Sequence, residues 1–529
     1  TPATPSPGTI LFAWLVPVCR AATRQRRVGQ RLVHLTVGLL LVGGRTMLSR
    51  VLLVLGRGDT DWSAAYRLFS RGRVDLEVLR REVVGRWVAQ LGPRTPLVTV
   101  LDGTQVPRTG RRMPGAGLLR APRTPPWRPG IHHAQRWAGL SGLTRLSANG
   151  DSRAIPLWFE PAPSARTREW DGIAPRREAD AGMAAVRWLR TVLDALGAGS
   201  RRLIVVADGA YSGAPVWTAL PARVTLLARC AKNRALFALP APAPAGRGRR
   251  RKYGERGPTP QALWQHRAGW TTCSVRVRGR DRHLRVKVTG PWLVKPAPAC
   301  PLFLLVVAGS HQRTDRYRRQ PLAFLVSARR TSKGAWVLPD PVPDLVRWAW
   351  QRWEVEVMHR ELKSGFGLGD QQQWRPRSAA LVPQWVVWAY AMLVLAAEAA
   401  WGTGPPPAAS RWHRGRRWTP REALGGVRQE IWSGQRCPND PVSAAQPGRK
   451  SSPHLRMARL VAHPPRALTS LPARVHPETA HHPWHGASCR VLKVPKLRGA
   501  GPWVLTRPCS CCLPGRDDWS YGAVSCCST

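Results

Sequence analysis

Two short segments of near-identical design place the strongest constraint on the fold. In the first, the mostly apolar run Leu97–Leu101 ends in Asp102 followed by glycine. In the second, Leu203–Ala207 ends in Asp208, again followed by glycine. Short runs rich in β-branched residues and bounded by turn residues are typical of buried strands. Because a helical pattern lies between them at Asp180–Leu196, the sequence predicts an α/β protein.

The charge of the chain limits its partners. It has 82 lysines and arginines against 30 aspartates and glutamates, a formal net charge of +52. Such a field attracts phosphate backbones, so nucleic acid is the first partner expected and an anionic membrane surface the second. High coding GC content also enriches arginine, and we attribute about a third of the basic excess to it.

One segment has nearly the length and composition of a membrane span. Ala379–Ala397 is almost wholly apolar, although it contains Pro383 and Gln384. The sequence has no second segment of this kind. We therefore interpret it as a buried core helix and expect no membrane partner.

The first 94 residues show no strand pattern. Residues 1–30 are rich in proline and then in arginine, and we expect a flexible basic N-terminus. Residues 31–94 are typical of helices separated by short breaks. A turn and short helix carrying Arg45 and Arg50 suit a DNA-reading element or ordinary helix packing equally well. Residues 31–94 are thus a candidate DNA-end-binding domain.

The rest of the chain divides by periodicity. Residues 241–339 begin as a basic linker and continue with alternating polar and apolar residues, which predicts a β-rich insertion. Helical patterns then return, with one helix predicted from Asp344, as its cap, to Lys363, so residues 95–240 and 340–432 are assigned to one α/β domain that the insertion interrupts. Residues 433–529 sustain no period, and we expect them to be disordered or translated out of frame.

The two strand-end aspartates suggest a metal site. Strand ends can lie side by side in a mixed sheet, and a carboxylate pair offers the hard oxygen ligands that Mg²⁺ or Mn²⁺ prefers. Taken singly, Asp102 and Asp208 are as well explained as turn residues. A third carboxylate from a helix at residues 352–363 would let the site hold two ions for in-line attack at phosphorus.

Three glutamates of that helix compete for the third position. Glu356 lies four residues after Arg352 and seven before Lys363, so these three share one helix face. Glu354 and Glu361 lie two and five residues from Glu356 and point elsewhere. The shared face suits a metal ligand between two cations that contact DNA phosphates, although an exposed salt-bridged face would have the same pattern.

The helix motif resembles that of the DDE-type transposases of bacterial insertion sequences. One group of that family has a signature of Tyr, two residues, Arg, three residues, Glu, six residues, Lys. Arg352, Glu356 and Lys363 match it from the arginine onward, whereas Ala349 replaces the tyrosine. The likeness extends over residues 33–432, about three-quarters of the chain.

The resemblance implies an RNase H-like mixed sheet with flanking helices, an N-terminal all-helical domain and a β-rich insertion. Asp102, Asp208 and Glu356 would be the catalytic and metal-binding carboxylates, with Mg²⁺ or Mn²⁺ as cofactor and two ions expected. Five cations are assigned to contact with DNA, namely Arg352, Lys363, Arg111, Arg112 and Lys232. Some of them would be explained equally well as residues of a solvated basic loop.

The resemblance also implies a function. We expect metal-dependent strand cleavage and strand transfer at the ends of an insertion sequence. The partners would be double-stranded DNA, as transposon ends and as target, and a second copy of the chain in a homodimer on DNA. The location would be the bacterial cytoplasm, with the nucleoid. Two alternatives stay open: a catalytically inactive DNA-binding remnant of a decayed element, and a stand-alone DNA endonuclease.

Overall fold

A computed structural model describes residues 5–433 except 111, 122–123, 125–127, 242–249, 310–320 and 407–416. All described residues belong to one unit of the chain, which spans residues 1–463. Arg111 and the predicted tail beyond residue 433 lie outside the described residues.

Helices form the N-terminal part of the protein. They are α1 (Pro7–Ala21), α2 (Arg26–Leu41), α3 (Leu48–Val54), α4 (Ser63–Ser70) and α5 (Leu76–Gln90). The later helices are α6 (Glu178–Ala195), α7 (Ala214–Thr218), α8 (Pro260–Gln265), α9 (Val342–Gln351), α10 (Trp353–Ser364), α11 (Pro376–Trp401) and α12 (Pro420–Ser433).

Helix α1 corrects the expectation of a flexible N-terminus at residues 1–30. Ser6 caps this helix by accepting a hydrogen bond from the Thr9 N–H at 3.2 Å. Leu11, Leu15 and Val18 recur at helical spacing and are buried. Proline was misleading here, because in the first turn of a helix it occupies a position that needs no amide hydrogen bond.

The strands follow in chain order. They are β1 (Leu97–Pro107), β2 (Ala116–Arg120), β3 (Ile131–Leu143), β4 (Ala154–Pro161), β5 (Leu203–Ala207), β6 (Val224–Arg229), β7 (Thr271–Val277), β8 (Arg280–Val294), β9 (Ala297–Gly309), β10 (Leu322–Ser327), β11 (Arg329–Arg330) and β12 (Trp336–Val337). The last two form a separate two-stranded sheet.

Within the described residues, one ten-stranded mixed sheet organises the fold. Its order is β2-β3-β1-β5-β6-β10-β9-β8-β7, with β4 added on β3. Strands β1, β5 and β6 are parallel neighbours, whereas β3 runs antiparallel to β1. This arrangement confirms the predicted α/β class and fits the RNase H-like fold that the sequence led us to expect.

The strands of the insertion extend this same sheet. Strand β10 pairs antiparallel with β6, with Leu325 opposite Ala228, and β9, β8 and β7 follow outward. Strands β7 to β10 therefore lengthen the main sheet on the side of β6.

Helix α11 is the central helix of the core. It has the length and apolar composition of a membrane span, but 89% of its most apolar window is buried inside the protein. It packs against α1, α4, α5 and β4. The N-terminal helices therefore share a hydrophobic core with the sheet.

The helix predicted after Asp344 is divided into two. Arg352 stands between α9 and α10, and Asp344 lies in the first turn of α9, where it pairs with Arg347. The sequence predicted one continuous helix to Lys363 because no proline or glycine marks the break.

Candidate active site

Parallel pairing of β1 and β5 brings two aspartates to the same edge of the sheet. Leu101 lies opposite Ala207, so Asp102 and Asp208 are the next residues along each strand. Asp102 does not end its strand as the sequence predicted, because pairing with β3 continues β1 to Pro107. Asp208 ends β5 and accepts a hydrogen bond from the Ala210 N–H at 2.9 Å, which fixes the turn that follows.

Helix α10 brings Glu356 to this edge, together with Arg352 that precedes the helix. Arg352 Nη2 donates to Glu356 Oε1 at 2.6 Å, and Arg352 Nη1 lies 3.7 Å from Asp102 Oδ2. Burial lowers the pKa of Arg352, but Asp102 and Glu356 outweigh it and hold that pKa above its ordinary value. A charged guanidinium thus stands between the carboxylates of β1 and α10.

The other two glutamates of α10 have partners elsewhere. Glu354 is buried and pairs with Arg278 Nη2 at 3.0 Å and Arg417 Nη2 at 2.9 Å. Glu361 Oε2 accepts a hydrogen bond from the Tyr390 hydroxyl at 2.7 Å. Both side chains support the packing of α10.

The cations assigned to DNA have different surroundings. Lys363 Nζ donates to Thr104 Oγ1 of β1 at 2.7 Å, so it lines the same sheet edge as the aspartates. Arg112 is exposed on the loop after β1, and Lys232 is exposed after β6. Arg352 forms the ion pairs described above.

Sequence reasoning missed a fourth carboxylate, that of Glu178. This residue begins α6, and its carboxyl carbon lies 2.1 Å from where a Cβ on Gly103 would stand. The Tyr211 hydroxyl donates to Glu178 Oε1 at 3.3 Å. A glutamate in the first turn of a helix is common, because it interacts favourably with the helix dipole, and so gave no signal.

Two carboxyl groups of this cluster have raised pKa values, chiefly because they are buried. Burial raises the pKa of Asp102 to about 8; Asp208, Glu178 and Glu356 add to the rise, and Arg352 opposes it. Burial and Asp208 raise the pKa of Glu178 to about 6, and Arg136 and the hydrogen bond from Tyr211 oppose the rise. Burial is thus the main cause of both rises, and the neighbouring carboxylates add to it.

A second missed residue, Arg229, ends β6 beside this cluster. Burial and the nearby Arg352 lower its pKa, whereas Asp208 and Glu356 act in the opposite direction. Its position at the end of the third parallel strand was the available sequence signal, since side chains at the carboxyl ends of parallel strands meet at one edge.

The donor set suits a divalent cation. Among the described residues, no group of three or more His, Cys, Asp or Glu side chains is already arranged to ligate an ion. Even so, Asp102, Asp208 and Glu356 supply hard oxygen ligands, and Arg352 occupies the space between two of them. These three carboxylates are the residues that would hold a divalent cation.

Comparison with known families decides the class of protein. The model of a family described as DDE superfamily endonuclease matches residues 16–283, just over half of the 529-residue chain. The chain belongs to this family. The result confirms the resemblance to DDE enzymes, a nuclease class whose substrate is DNA and whose members generally use divalent metals. A comparison with curated proteins found no match.

The matched region of this DDE endonuclease contains Asp102, Glu178 and Asp208 and ends before Glu356. The placement of Glu356 thus depends on geometry and on its spacing from Arg352 and Lys363.

Proposed function

We propose that this DDE endonuclease is the transposase of an insertion sequence. It would cut DNA at the ends of its element and join the freed 3′ end to a target. The observation that supports this function is the convergence of Asp102, Asp208 and Glu356 at one edge of the sheet, beside Arg352 and Lys363.

Each part of the site has a separate task in this proposal. Mg²⁺ or Mn²⁺, with two ions proposed, would activate a water or 3′-hydroxyl and stabilise the leaving oxygen. Asp102 and Asp208 are fixed by paired strands and Glu356 by a packed helix, so the carboxylates are preorganised. Lys363 and Arg229 are suited to neutralise DNA phosphates that enter the site.

The proposed substrate is double-stranded DNA, both the element's ends and its target. Residues 31–94 are proposed to contact the ends, because Arg45 and Arg50 are exposed on the turn and short helix there. Joining two ends implies a homodimer on DNA. The proposed location is the bacterial cytoplasm, with the nucleoid.

Substitution of the three carboxylates tests the function. Asp102→Asn, Asp208→Asn and Glu356→Gln should each abolish Mg²⁺-dependent cleavage of an end-bearing duplex and retain DNA binding in a gel-shift assay. Asp171→Asn and Glu169→Gln, which change exposed carboxylates outside the site, should cleave like the wild type. Cleavage that survives a substitution removes that residue from the site.

A stand-alone DNA endonuclease is the second candidate, because the matching family description specifies an endonuclease and no joining step. Robust cleavage without any strand-transfer product would favour it. A catalytically inactive remnant would bind end-bearing DNA but show no cleavage with Mg²⁺ or Mn²⁺.

A further inference from the structure

We propose that a basic cavity among the N-terminal helices is a binding site for a phosphate group. Residues of α2, α3 and α4 and of the loop between the last two line this cavity, whose volume is about 100 Å³. None of its described lining residues belongs to the candidate active site. The inference therefore concerns a second site and does not depend on the proposed cleavage reaction.

Three basic side chains line the cavity. Helix α2 contributes Arg31 and His34, which are three residues apart and share a face, and the loop after α3 contributes Arg57. Arg57 Nη2 donates to His34 Nδ1 at 3.5 Å, so the loop and the helix are joined at the cavity. Leu35 and Leu52 form part of the wall, and charges beside an apolar wall are screened less than charges in open solvent.

The backbone around Arg57 is fixed by the way α3 ends. Gly56 has a φ of +69°, a left-handed conformation that favours glycine, and the Arg57 N–H then donates to the Leu52 carbonyl at 3.0 Å. The Arg57 carbonyl accepts hydrogen bonds from the Trp62 indole at 2.7 Å and from the Thr60 hydroxyl at 3.1 Å. The base of the Arg57 side chain is thus held at the cavity before any ligand binds, which lowers the entropic cost of binding.

Four arginines lie close together around this cavity. Burial lowers the pKa of Arg31, and the nearby charges of Arg57, Arg73 and Arg27 lower it further. In the part of the chain that the structure describes, none of these four pairs with a carboxylate. Unpaired arginines are expected at a net charge of +52, but mutual repulsion opposes their gathering at one place, and a bound anion would relieve it.

One carboxylate, that of Asp61, also lines the cavity. It accepts a hydrogen bond from the Ser63 N–H at 2.8 Å and lies 3.9 Å from Arg67 Nη2, and its side chain is largely exposed. Asp61 is therefore engaged at the start of α4, and the lining keeps an excess of positive charge.

A phosphate group matches the chemistry of this lining. Guanidinium groups present paired N–H donors whose geometry fits phosphate oxygens. The cavity also exceeds the volume of about 30 Å³ that one water molecule occupies in the liquid, so it has room for a larger group. A phosphate of the DNA backbone and a free phosphate both supply this chemistry.

Labelling of individual arginines tests the site without measuring activity. We would treat the full-length, DNA-free protein with phenylglyoxal, with and without inorganic phosphate at constant ionic strength, and quantify each labelled arginine by peptide mass spectrometry. Phosphate at several times its dissociation constant should slow the labelling of Arg31 and Arg57 at least about fivefold. Arg187, an exposed arginine of α6, should be labelled at an unchanged rate.

Arg57→Ala is the matched variant. It removes one cation but keeps the backbone hydrogen bonds of the turn, so its circular dichroism spectrum should match that of the wild type. Phosphate should no longer protect Arg31 in this variant, whereas protection should persist in the control Arg187→Ala.

Duplex DNA distinguishes the two sources of the phosphate group. If the cavity holds a backbone phosphate, Arg57→Ala should reduce the slope of log affinity against log salt concentration by about 1, and Arg187→Ala should not. An unchanged slope together with protection by inorganic phosphate would assign the cavity to a free phosphate ligand.

Two results would overturn the proposal. One is labelling of Arg31 and Arg57 at the same rate with and without phosphate in the wild type. The other is protection of Arg187 as strong as that of Arg31, which would reflect anions gathered over the whole surface. Both leave the proposed cleavage function standing, because no residue of the candidate active site is involved.

Discussion

Glu354 and Glu356 lie two residues apart on α10 but in opposite electrostatic surroundings. Glu354 is buried, and one carboxylate is paired with two guanidiniums, those of Arg278 and Arg417. At Glu356 the ratio of carboxylates to guanidiniums is reversed, because the guanidinium of Arg352 pairs with both Glu356 and Asp102.

This difference separates structural from functional carboxylates. A chain with a net charge of +52 has enough arginines to neutralise the carboxylates that its fold requires. Where carboxylates outnumber the cations paired with them, their mutual repulsion opposes folding. Such clusters of perturbed groups are typical of functional sites, and in the proposed function a divalent cation would offset the excess negative charge.

The largest expected effect is that of replacing Glu354, the glutamate of α10 that pairs with two arginines. Glu354→Gln should lower the free energy of unfolding by about 3 kcal/mol or more, because it leaves two arginines without their buried partner. Glu356→Gln should change it by less than about 1 kcal/mol, since Glu356 is partly exposed and repulsion from Asp102 offsets its ion pair with Arg352. Urea unfolding followed by circular dichroism measures the free energy of unfolding of both variants. Equal losses of stability would contradict the difference between Glu354 and Glu356.

A smaller effect is expected on how the stability of the protein depends on pH, through the pKa of Asp102. Unfolded aspartate has a pKa of about 3.9, whereas folded Asp102 titrates at about 8. Between these values the folded protein keeps a proton that the unfolded chain has released, so stability falls as pH rises.

We therefore expect metal-free wild-type protein to lose thermal stability between pH 5 and pH 8 relative to Asp102→Asn. The melting temperature of the variant should exceed that of the wild type by about 3 °C or more at pH 8. Added Mg²⁺ should narrow the gap, because it stabilises only the wild type at this position. A gap that does not depend on pH would mean that Asp102 is not the group responsible.

The smallest effect concerns Tyr390, whose hydroxyl donates a hydrogen bond to Glu361 of α10. Tyr390→Phe removes one hydrogen bond and should cost about 1 kcal/mol of stability. DNA cleavage should stay at the wild-type rate when assayed well below the melting temperature. Loss of cleavage in the folded variant would place Glu361 in the active site.

The sequence could predict the parts of the site that depend on local patterns. Asp102 and Asp208 each end an apolar run that forms a strand, and Glu356 is distinguished by its spacing from Arg352 and Lys363. The mixed α/β class followed from the same runs and from the helical pattern between them.

Tertiary packing determines what the sequence did not reveal. Glu178 meets Gly103 only because α6 crosses the sheet at that point, and no spacing rule links residues 75 positions apart. The strands of the insertion were recognisable by alternation, but their addition to the main sheet depends on the pairing of β10 with β6. Likewise, α1 is stabilised by packing against α2 and α11.

The location of a bound ion tests the central assignment most directly. We would soak crystals of the protein with Mn²⁺ and map the ion by anomalous scattering. We predict Mn²⁺ bound by Asp102 and Asp208, with the Arg352 guanidinium moved away from Asp102. Mn²⁺ bound only elsewhere, with Arg352 still bridging Asp102 and Glu356 at saturating metal, would contradict the assignment.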